Sequence, residues 1–327
     1  DLPTASFAGQ HETFLNVRGE KMLLDACRRC FASVFPERAI VYRIENDFDH
    51  FNVALSVGVM KMVRSDLAAS GVMFSLDTET GFTDVVFITG AYGLGENVVQ
   101  GVVDPDECYV HKPTYQDGYR SVLRRRLGEK KVKMICGGER SRKATRNVST
   151  AKALRERFCI TDQQVLALAD YGIKIERHYS DRAGHYLPMD MEWALDGIDG
   201  QLYVVQARPE TVASRRQPNE LEEYRLQGSG DVLISGRAVG RQIATGLARV
   251  IDDISRLDEF KPGEVLVADT TTPDWGPVMK TAAGLITNRG GRTCHAAIVA
   301  RELSIPAVIG TDRATQTIRT GDRVTLS

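Results

Sequence analysis

Apolar and polar positions alternate over several short stretches of the first part of the chain, and a period of two predicts β-strands. These stretches are residues 55–63, 71–76, 84–90 and 107–110. A helical period precedes them; it ends near Pro36 and resumes from residue 38 to 47. The basic run 124–133 interleaves apolar residues, which predicts the wet side of a hairpin, with a patch for a polyanion as the alternative.

The same reading divides the chain into two units. Thr161 and Gln164 have the spacing of a capping box, which predicts a helix to about residue 177. A strand pair follows at residues 189–195 and 202–207, and a polar stretch at 214–230 reads as a linker. Strands 232–240, 247–251, 264–269, 284–287 and 306–310 then alternate with short helices. The predicted fold is α/β (α+β), with units at 1–213 and 231–327.

Composition limits the functional classes. The 327 residues carry a net charge of −1, so the whole-chain charge gives no reason to expect a nucleic-acid or anionic-membrane partner. No apolar run approaches 18 residues, and the first ten residues do not resemble a signal peptide, so we expect a cytoplasmic protein. Cys27 and Cys30 lie at helical spacing without a second pair, which favours buried structural thiols over a metal or redox pair.

The strand pair near residue 199 carries the first candidate chemistry. A hairpin centred there sets Glu192 opposite Gln206 and Asp190 opposite Arg208, all on one face. The opposite face would be core, with Met189, Met191, Trp193, Leu195, Tyr203, Val205 and Ala207. Carboxylate and amide oxygens suit Mg²⁺, and an adjacent guanidinium suits a phosphate. A solvated face with a cross-strand Asp190–Arg208 ion pair is the alternative that this pattern alone favours.

Two further motifs concern phosphate. Residues 90–96 form a glycine loop after a strand, without the third glycine of the dinucleotide fingerprint, and a plain loop is the default reading. Near Thr293, a predicted N-cap, a helix begins that carries His295 in its first turn. The positive helix end favours an anion and disfavours the imidazolium, so His295 would stay neutral and nucleophilic, with Arg292 steadying phosphate charge. A helix-corner histidine is the alternative, and Cys294 is read as structural.

The segment 290–310, GGRTCHAAIVARELSIPAVIG, resembles the phosphohistidine signature of the PEP-utilising enzymes. Within that family, several other segments look like the phosphoenolpyruvate synthases: DLPTASFAGQHETFLNV, KMVRSDLAASGVMFSLDTETGF, AYGLGENVVQG, MDMEWALDG and LYVVQARPETV. Enzyme I of the sugar phosphotransferase system lacks the ATP-grasp portion that these segments resemble. The likeness covers nearly the whole chain.

The resemblance implies an ATP-grasp nucleotide portion followed by a swivelling phosphohistidine domain. It implies Mg²⁺ on Glu192 and Gln206, ATP as substrate, Arg208 on its phosphates, and His295 as the phosphorylated residue. Gly9 and Thr13 would lie along the phosphates, and Met60 to Val63 would form a hinge strand against adenine. Arg292 and Thr293 would contact the phosphoryl group, with pyruvate and water as acceptors.

The sequence departs from the family pattern at two positions and lacks two parts. Met60 stands where glutamine is frequent, and Gly276 replaces an acid. An N-terminal ATP-grasp lobe and a C-terminal pyruvate barrel are expected outside this stretch, so we expect a fragment that does not make phosphoenolpyruvate alone. A homodimer is compatible with the sequence. The alternatives are a pyruvate phosphate dikinase, a rifampicin phosphotransferase-like enzyme and a non-catalytic phosphocarrier.

Overall fold

A computed structural model describes residues 11–138, 143–210, 224–228 and 230–327. Strands and helices are mixed along the chain, as the sequence predicts. The strands are β1 Ala69–Phe74, β2 Val85–Tyr92, β3 Asp106–His111, β4 Arg124–Arg126, β5 Val132–Cys136, β6 Thr145–Ser149, β7 Met189–Leu195, β8 Leu202–Pro209, β9 Arg237–Val239, β10 Ala244–Val250, β11 Val265–Ala268, β12 Gly284–Thr287, β13 Ala307–Ile309 and β14 Arg323–Leu326. The helices are α1 Gly19–Ala32, α2 Glu37–Glu45, α3 Glu96–Val99, α4 Lys112–Gln116, α5 Lys152–Arg155, α6 Asp162–Ala183, α7 Gly276–Met279, α8 His295–Glu302 and α9 Ala314–Thr317.

An antiparallel sheet in the order β4-β3-β2-β1-β7-β8 organises the described residues up to 210, which we call the first unit. Helix α6 covers one face through Val165, Leu168 and Ile173, which pack on apolar side chains of the sheet. Its N-terminus is held by the predicted capping box between Thr161 and Gln164, which the structure confirms. The packing of this helix against the sheet includes contacts with both strands of the hairpin β7–β8.

A second sheet, in the order β14-β10-β11-β12-β13-β9, organises residues 230–327, which we call the second unit. Its four central strands are parallel, and the two edge strands are antiparallel. Parallel strands are buried on both faces. Accordingly α8 packs with one face, while α9 packs with the other through Ala314. The domain limits at residues 213 and 231 stay a prediction, because residues 211–223 and 229 lie outside the described ranges.

Three sequence predictions about the first unit are wrong. Residues 55–63 join no strand, although their alternation predicted one. The basic run does not form a hairpin, because β4 pairs with β3 whereas β5 pairs with β6 in a separate ribbon. Nor is it uniformly wet, since Lys130 is fully buried in an ion pair with Asp106.

The cysteine prediction is partly wrong. Helix α1 has no buried residue, so Cys27 and Cys30 are half-buried rather than core thiols. Burial and the neighbouring Cys27 raise the pKa of Cys30, which keeps this thiol protonated and poorly reactive at neutral pH. All six cysteines are free thiols. Among the described residues, no helix is both long and apolar enough to cross a membrane.

Candidate functional site

The hairpin β7–β8 has the predicted register in the half that lies away from its turn. Glu192 lies opposite Gln206, and Asp190 lies opposite Arg208. The Arg208 guanidinium donates to Asp190 Oδ2 from Nε at 2.8 Å and from Nη2 at 2.7 Å. The cross-strand ion pair that was one alternative therefore exists beside the proposed metal ligands. The two readings are compatible, because the pair leaves Glu192 and Gln206 next to a fixed guanidinium.

A β-bulge interrupts the hairpin between Glu192 and Trp193, and it changes the predicted core face. Beyond the bulge, Trp193 lies opposite Val204 instead of Val205. Consequently Leu202 and Val204 pack against the core, while Tyr203 is 40% exposed. The extra residue reverses the alternation, as a one-residue register shift must. The assignment of Tyr203 and Val205 to the core is wrong for this reason.

The carboxylates of the hairpin are held in a poorly solvated place. Burial raises the pKa of Asp190 even though Arg208 opposes the shift. Burial also raises the pKa of Glu192, and the charge of Asp190 adds to that rise. Two neighbouring carboxylates with one guanidinium, which is paired with Asp190, leave excess negative charge. A divalent cation bound to Glu192 would relieve this charge.

The donor set fits Mg²⁺ only if a nucleotide completes it. Glu192 and Gln206 offer one carboxylate and one amide oxygen on directly opposed residues. Within the described ranges, no group of three or more His, Cys, Asp or Glu side chains could hold a metal ion alone. Mg²⁺ is commonly bound by one or two protein oxygens together with water and phosphate oxygens. The residues present therefore fit that ion with a phosphate ligand.

His295 is the first residue of α8, as predicted, but the N-cap is Cys294 rather than Thr293. The cap residue makes no side-chain hydrogen bond, so backbone N–H groups remain at this helix end. Nδ1 of His295 lies 3.3 Å from Oγ1 of the buried Thr271. Burial lowers the pKa of His295 from 6.5 to about 4, although the charge of Asp274 acts in the opposite direction. The imidazole is therefore neutral at physiological pH.

One cavity of about 1910 Å³ joins the two units. Its lining includes Thr13, Met60, Val63, Glu192, Gln206, Arg208 and His295. The hairpin β7–β8 and the histidine thus face the same space, although they are about a hundred residues apart in sequence. The glycine loop also contributes through Gly95 and Glu96, and Gly276 is part of the same lining.

Two predicted residues, Arg292 and Thr293, are not part of this wall, and the place of a third stays a prediction. Gly9 lies outside the described residues. Thr293 is buried, with its hydroxyl 3.4 Å from Thr89 of the first unit. Arg292 is near Glu79, Tyr109 and Glu107 rather than in the cavity lining. The structure does not bring Arg292 and Thr293 together with the hairpin residues.

Sequence reasoning missed Thr271 and Asp274, the two residues that act directly on the imidazole. Thr271 contacts Nδ1 of His295, and the charge of Asp274 raises the pKa of the ring. Arg38 of α2 pairs with Asp274 at 3.3 Å and with Glu12 at 2.6 Å, so the charge of the Asp274 carboxylate is already partly neutralised. The available signal was the segment 273–278 around Gly276, whose sequence departs from the family pattern. Its position against α8 is a tertiary fact that no local pattern encodes.

The mixed helix and sheet content is consistent with comparisons to known families. Residues 1–228 match "Pyruvate phosphate dikinase, AMP/ATP-binding domain", and residues 260–327 match "PEP-utilising enzyme, mobile domain". The chain belongs to the pyruvate phosphate dikinase AMP/ATP-binding domain family, and it carries a PEP-utilising mobile domain after it.

Curated relatives make the comparison more specific. The chain is 56% identical to the phosphoenolpyruvate synthases of Synechocystis sp. and Pseudomonas aeruginosa, and 52% identical to that of Escherichia coli. These alignments cover 100% of this chain but only 40%, 41% and 40% of the three relatives. A solved structure of Enzyme I matches 22% of this chain and 29% of its own at 36% identity, with a TM-score of 0.20. That score is too low to support any argument about the fold.

Proposed function

We propose that this chain is the nucleotide-handling and phosphohistidine portion of a phosphoenolpyruvate synthase, and that His295 carries the phosphoryl group. The observation that supports this most directly is the shared cavity, which exposes His295 to the same space as Glu192, Gln206 and Arg208. The identity of 52–56% to curated synthases favours water over phosphate as acceptor of the outer phosphate.

The finer architecture is part of the proposal. The first unit would be the ATP-grasp portion, with Thr13, Gly9, Met60 and Val63 along the nucleotide. The second unit would be the swivelling domain, with residues 214–230 as its hinge. We propose a cytoplasmic enzyme whose remaining length supplies the pyruvate barrel.

In the proposed first step, a ring nitrogen of His295 forms a bond to the β-phosphorus of ATP. The bond from that phosphorus to the oxygen bridging the α-phosphate breaks, so AMP leaves with the electron pair. Because Nδ1 faces Thr271, Nε2 is the nitrogen free to attack when Nδ1–H donates to the hydroxyl. Asp274, which raises the pKa of His295, offsets the positive charge that develops on the ring.

The hairpin residues act on the phosphates. Arg208, held by two hydrogen bonds to Asp190, presents a fixed guanidinium to developing phosphate charge. Glu192 and Gln206 would hold Mg²⁺, which neutralises phosphate oxygens when bound. Water then removes the outer phosphate, and the remaining phosphoryl group passes from His295 to the enolate oxygen of pyruvate.

Label transfer to the intact protein tests this mechanism. The protein is incubated with Mg²⁺ and with ATP labelled at either the β- or the γ-phosphate, and acid-labile label is mapped by peptide. We expect β-label to remain on the His295 peptide and γ-label to be released as phosphate. His295→Ala should abolish retention. Retention of γ-label alone, or label on another residue, contradicts the proposal, and a Glu192→Gln variant that labels normally contradicts the metal assignment.

A further inference from the structure

The surface between the two units is closely packed around the start of α8. A Cβ placed on Gly101 would lie 2.5 Å from Cβ of Cys294, and one on Gly291 would lie 2.8 Å from Cδ of Pro105. The hydroxyls of Thr89 and Thr293 approach to 3.4 Å between these contacts. These close approaches hold residues 291–294, directly before His295, against the first unit.

Charges of opposite sign surround the packed centre. Arg301 of α8 donates from Nε to Glu79 Oε1 at 3.1 Å, and its Nη2 contacts the same oxygen. On another side, Arg237 lies 3.3 Å from both Asp104 and Glu107. All carboxylates belong to the first unit, and both arginines belong to the second. Side-chain exposure is only 4% for Arg301 and 15% for Glu79, so solvent screens this pair weakly.

The position of the Glu79–Arg301 pair connects it to the site. Glu79 follows β1, and Val72 of β1 lies directly opposite Glu192 on β7. Arg301 is six residues from His295 on α8, about 9 Å along a rigid helix. The ion pair therefore joins the loop after β1, the strand that pairs with β7, to the helix that carries His295.

We propose that Glu79 and Arg301, assisted by Arg237 with Asp104 and Glu107, form an electrostatic latch that positions His295 against the nucleotide site. Glu79 and Arg301 are positioning residues, since neither lines the cavity. Polar interdomain surfaces permit relative motion, whereas large apolar ones do not. The latch rests on the proposed function, and it makes a claim of its own: it serves the transfer from ATP and not the transfer that involves pyruvate.

Labelling from two phosphoryl donors, ATP and phosphoenolpyruvate, separates this role from a merely structural one. In the intact protein, His295 is labelled from ATP in one assay and from phosphoenolpyruvate, by the reverse reaction, in another. For Glu79→Gln we expect labelling from ATP to slow by about tenfold or more, because one partner of a buried pair is lost. Labelling from phosphoenolpyruvate should stay within about twofold, as should both assays for the matched surface variant Glu259→Gln.

A charge exchange and a second variant guard against misfolding. Glu79→Arg with Arg301→Glu should recover labelling from ATP relative to either change alone. Arg237→Gln, at a side chain that is 24% exposed, should repeat the selective loss without disturbing α8. Circular dichroism checks that each variant is folded. Equal slowing with both donors would overturn the latch, as would normal labelling from ATP in both Glu79→Gln and Arg237→Gln.

Hydrogen exchange provides a readout that needs no chemistry. Peptides covering residues 100–105 and 288–294 should exchange faster in Glu79→Gln, whereas Glu259→Gln should leave them unchanged. If the wild-type protein accepts label from neither donor, the proposed function fails, and exchange alone then decides the latch. Unchanged exchange in both interface variants would refute the latch whatever the labelling shows.

Discussion

The imidazole of His295 should titrate near pH 4, well below the usual range for histidine. Burial lowers its pKa from 6.5 to about 4, and only the carboxylate of Asp274 acts against the shift. Each pKa unit corresponds to about 1.4 kcal/mol. Folding therefore disfavours the protonated ring relative to the neutral ring by about 3 kcal/mol. An imidazole of this kind is available as a nucleophile throughout the physiological range.

The sign of the linked stability effect follows from proton binding. Between pH 6.5 and 4 the unfolded chain protonates this histidine, while the folded chain does not. Stability from this group is therefore present above pH 6.5 and is lost as the pH falls towards 4. At pH 5 the loss relative to pH 7 should be about 2 kcal/mol, and a His295→Gln variant should be spared it.

Nuclear magnetic resonance of histidine-labelled protein measures the pKa directly. The chain has six histidines, and the signal that disappears in His295→Gln assigns the one of interest. Asp274→Asn should lower the midpoint further, because the carboxylate is the group that raises it. A wild-type midpoint near 6.5, or a rise in Asp274→Asn, would refute the electrostatic reasoning.

Three other predictions concern the first unit. Mg-ATP at a hundredfold excess over Kd should stabilise the wild-type protein by about 2.7 kcal/mol, and Glu192→Gln should abolish this thermal stabilisation. Because burial raises the pKa of Glu192, the stabilisation of the wild-type protein should also weaken as the pH falls. Thr161→Ala removes the capping box of α6 and should lower the free energy of unfolding in urea by about 1 kcal/mol. Thr161→Ser, which keeps the capping hydroxyl, is the control and should change it little. Gly71→Ala should cost about 3 kcal/mol or prevent expression, since its Cβ would lie 1.9 Å from the Thr89 carbonyl oxygen. The matched control is Gly138→Ala, because a Cβ there has open space and the backbone is not left-handed, and it should leave stability almost unchanged.

The sequence predicted those parts of the site that depend on local periodicity. The register of Glu192 with Gln206 follows from strand alternation and the turn at 196–200, and the structure confirms it. The position of His295 in the first turn of α8 follows from the glycine loop and the strand before it. Both signals lie within about twenty residues, a range over which backbone geometry alone decides the arrangement.

Other parts depended on tertiary contacts and were missed. The bulge at Trp193 leaves no mark in the alternation, so the core assignment of Tyr203 was wrong. Residues 55–63 alternate as a strand does but pair with none of the described strands. Basic residues such as Lys130 read as solvated, whereas the fold buries Lys130 against Asp106. A charge pattern does not reveal which charges are paired across the chain.

The charge distribution explains why the two halves of the site have to meet. On the first unit, Asp190 and Glu192 carry more negative charge than Arg208 offsets, and burial raises the pKa of both carboxyl groups. On the second unit, His295 is kept neutral by burial. In the proposed mechanism, neither half alone would both neutralise phosphate charge and supply a nucleophile. In the proposed mechanism, docking would bring a neutral ring, and not a competing cation, to the cavity that holds the hairpin carboxylates, so the imidazole would reach the phosphorus without being drawn to them.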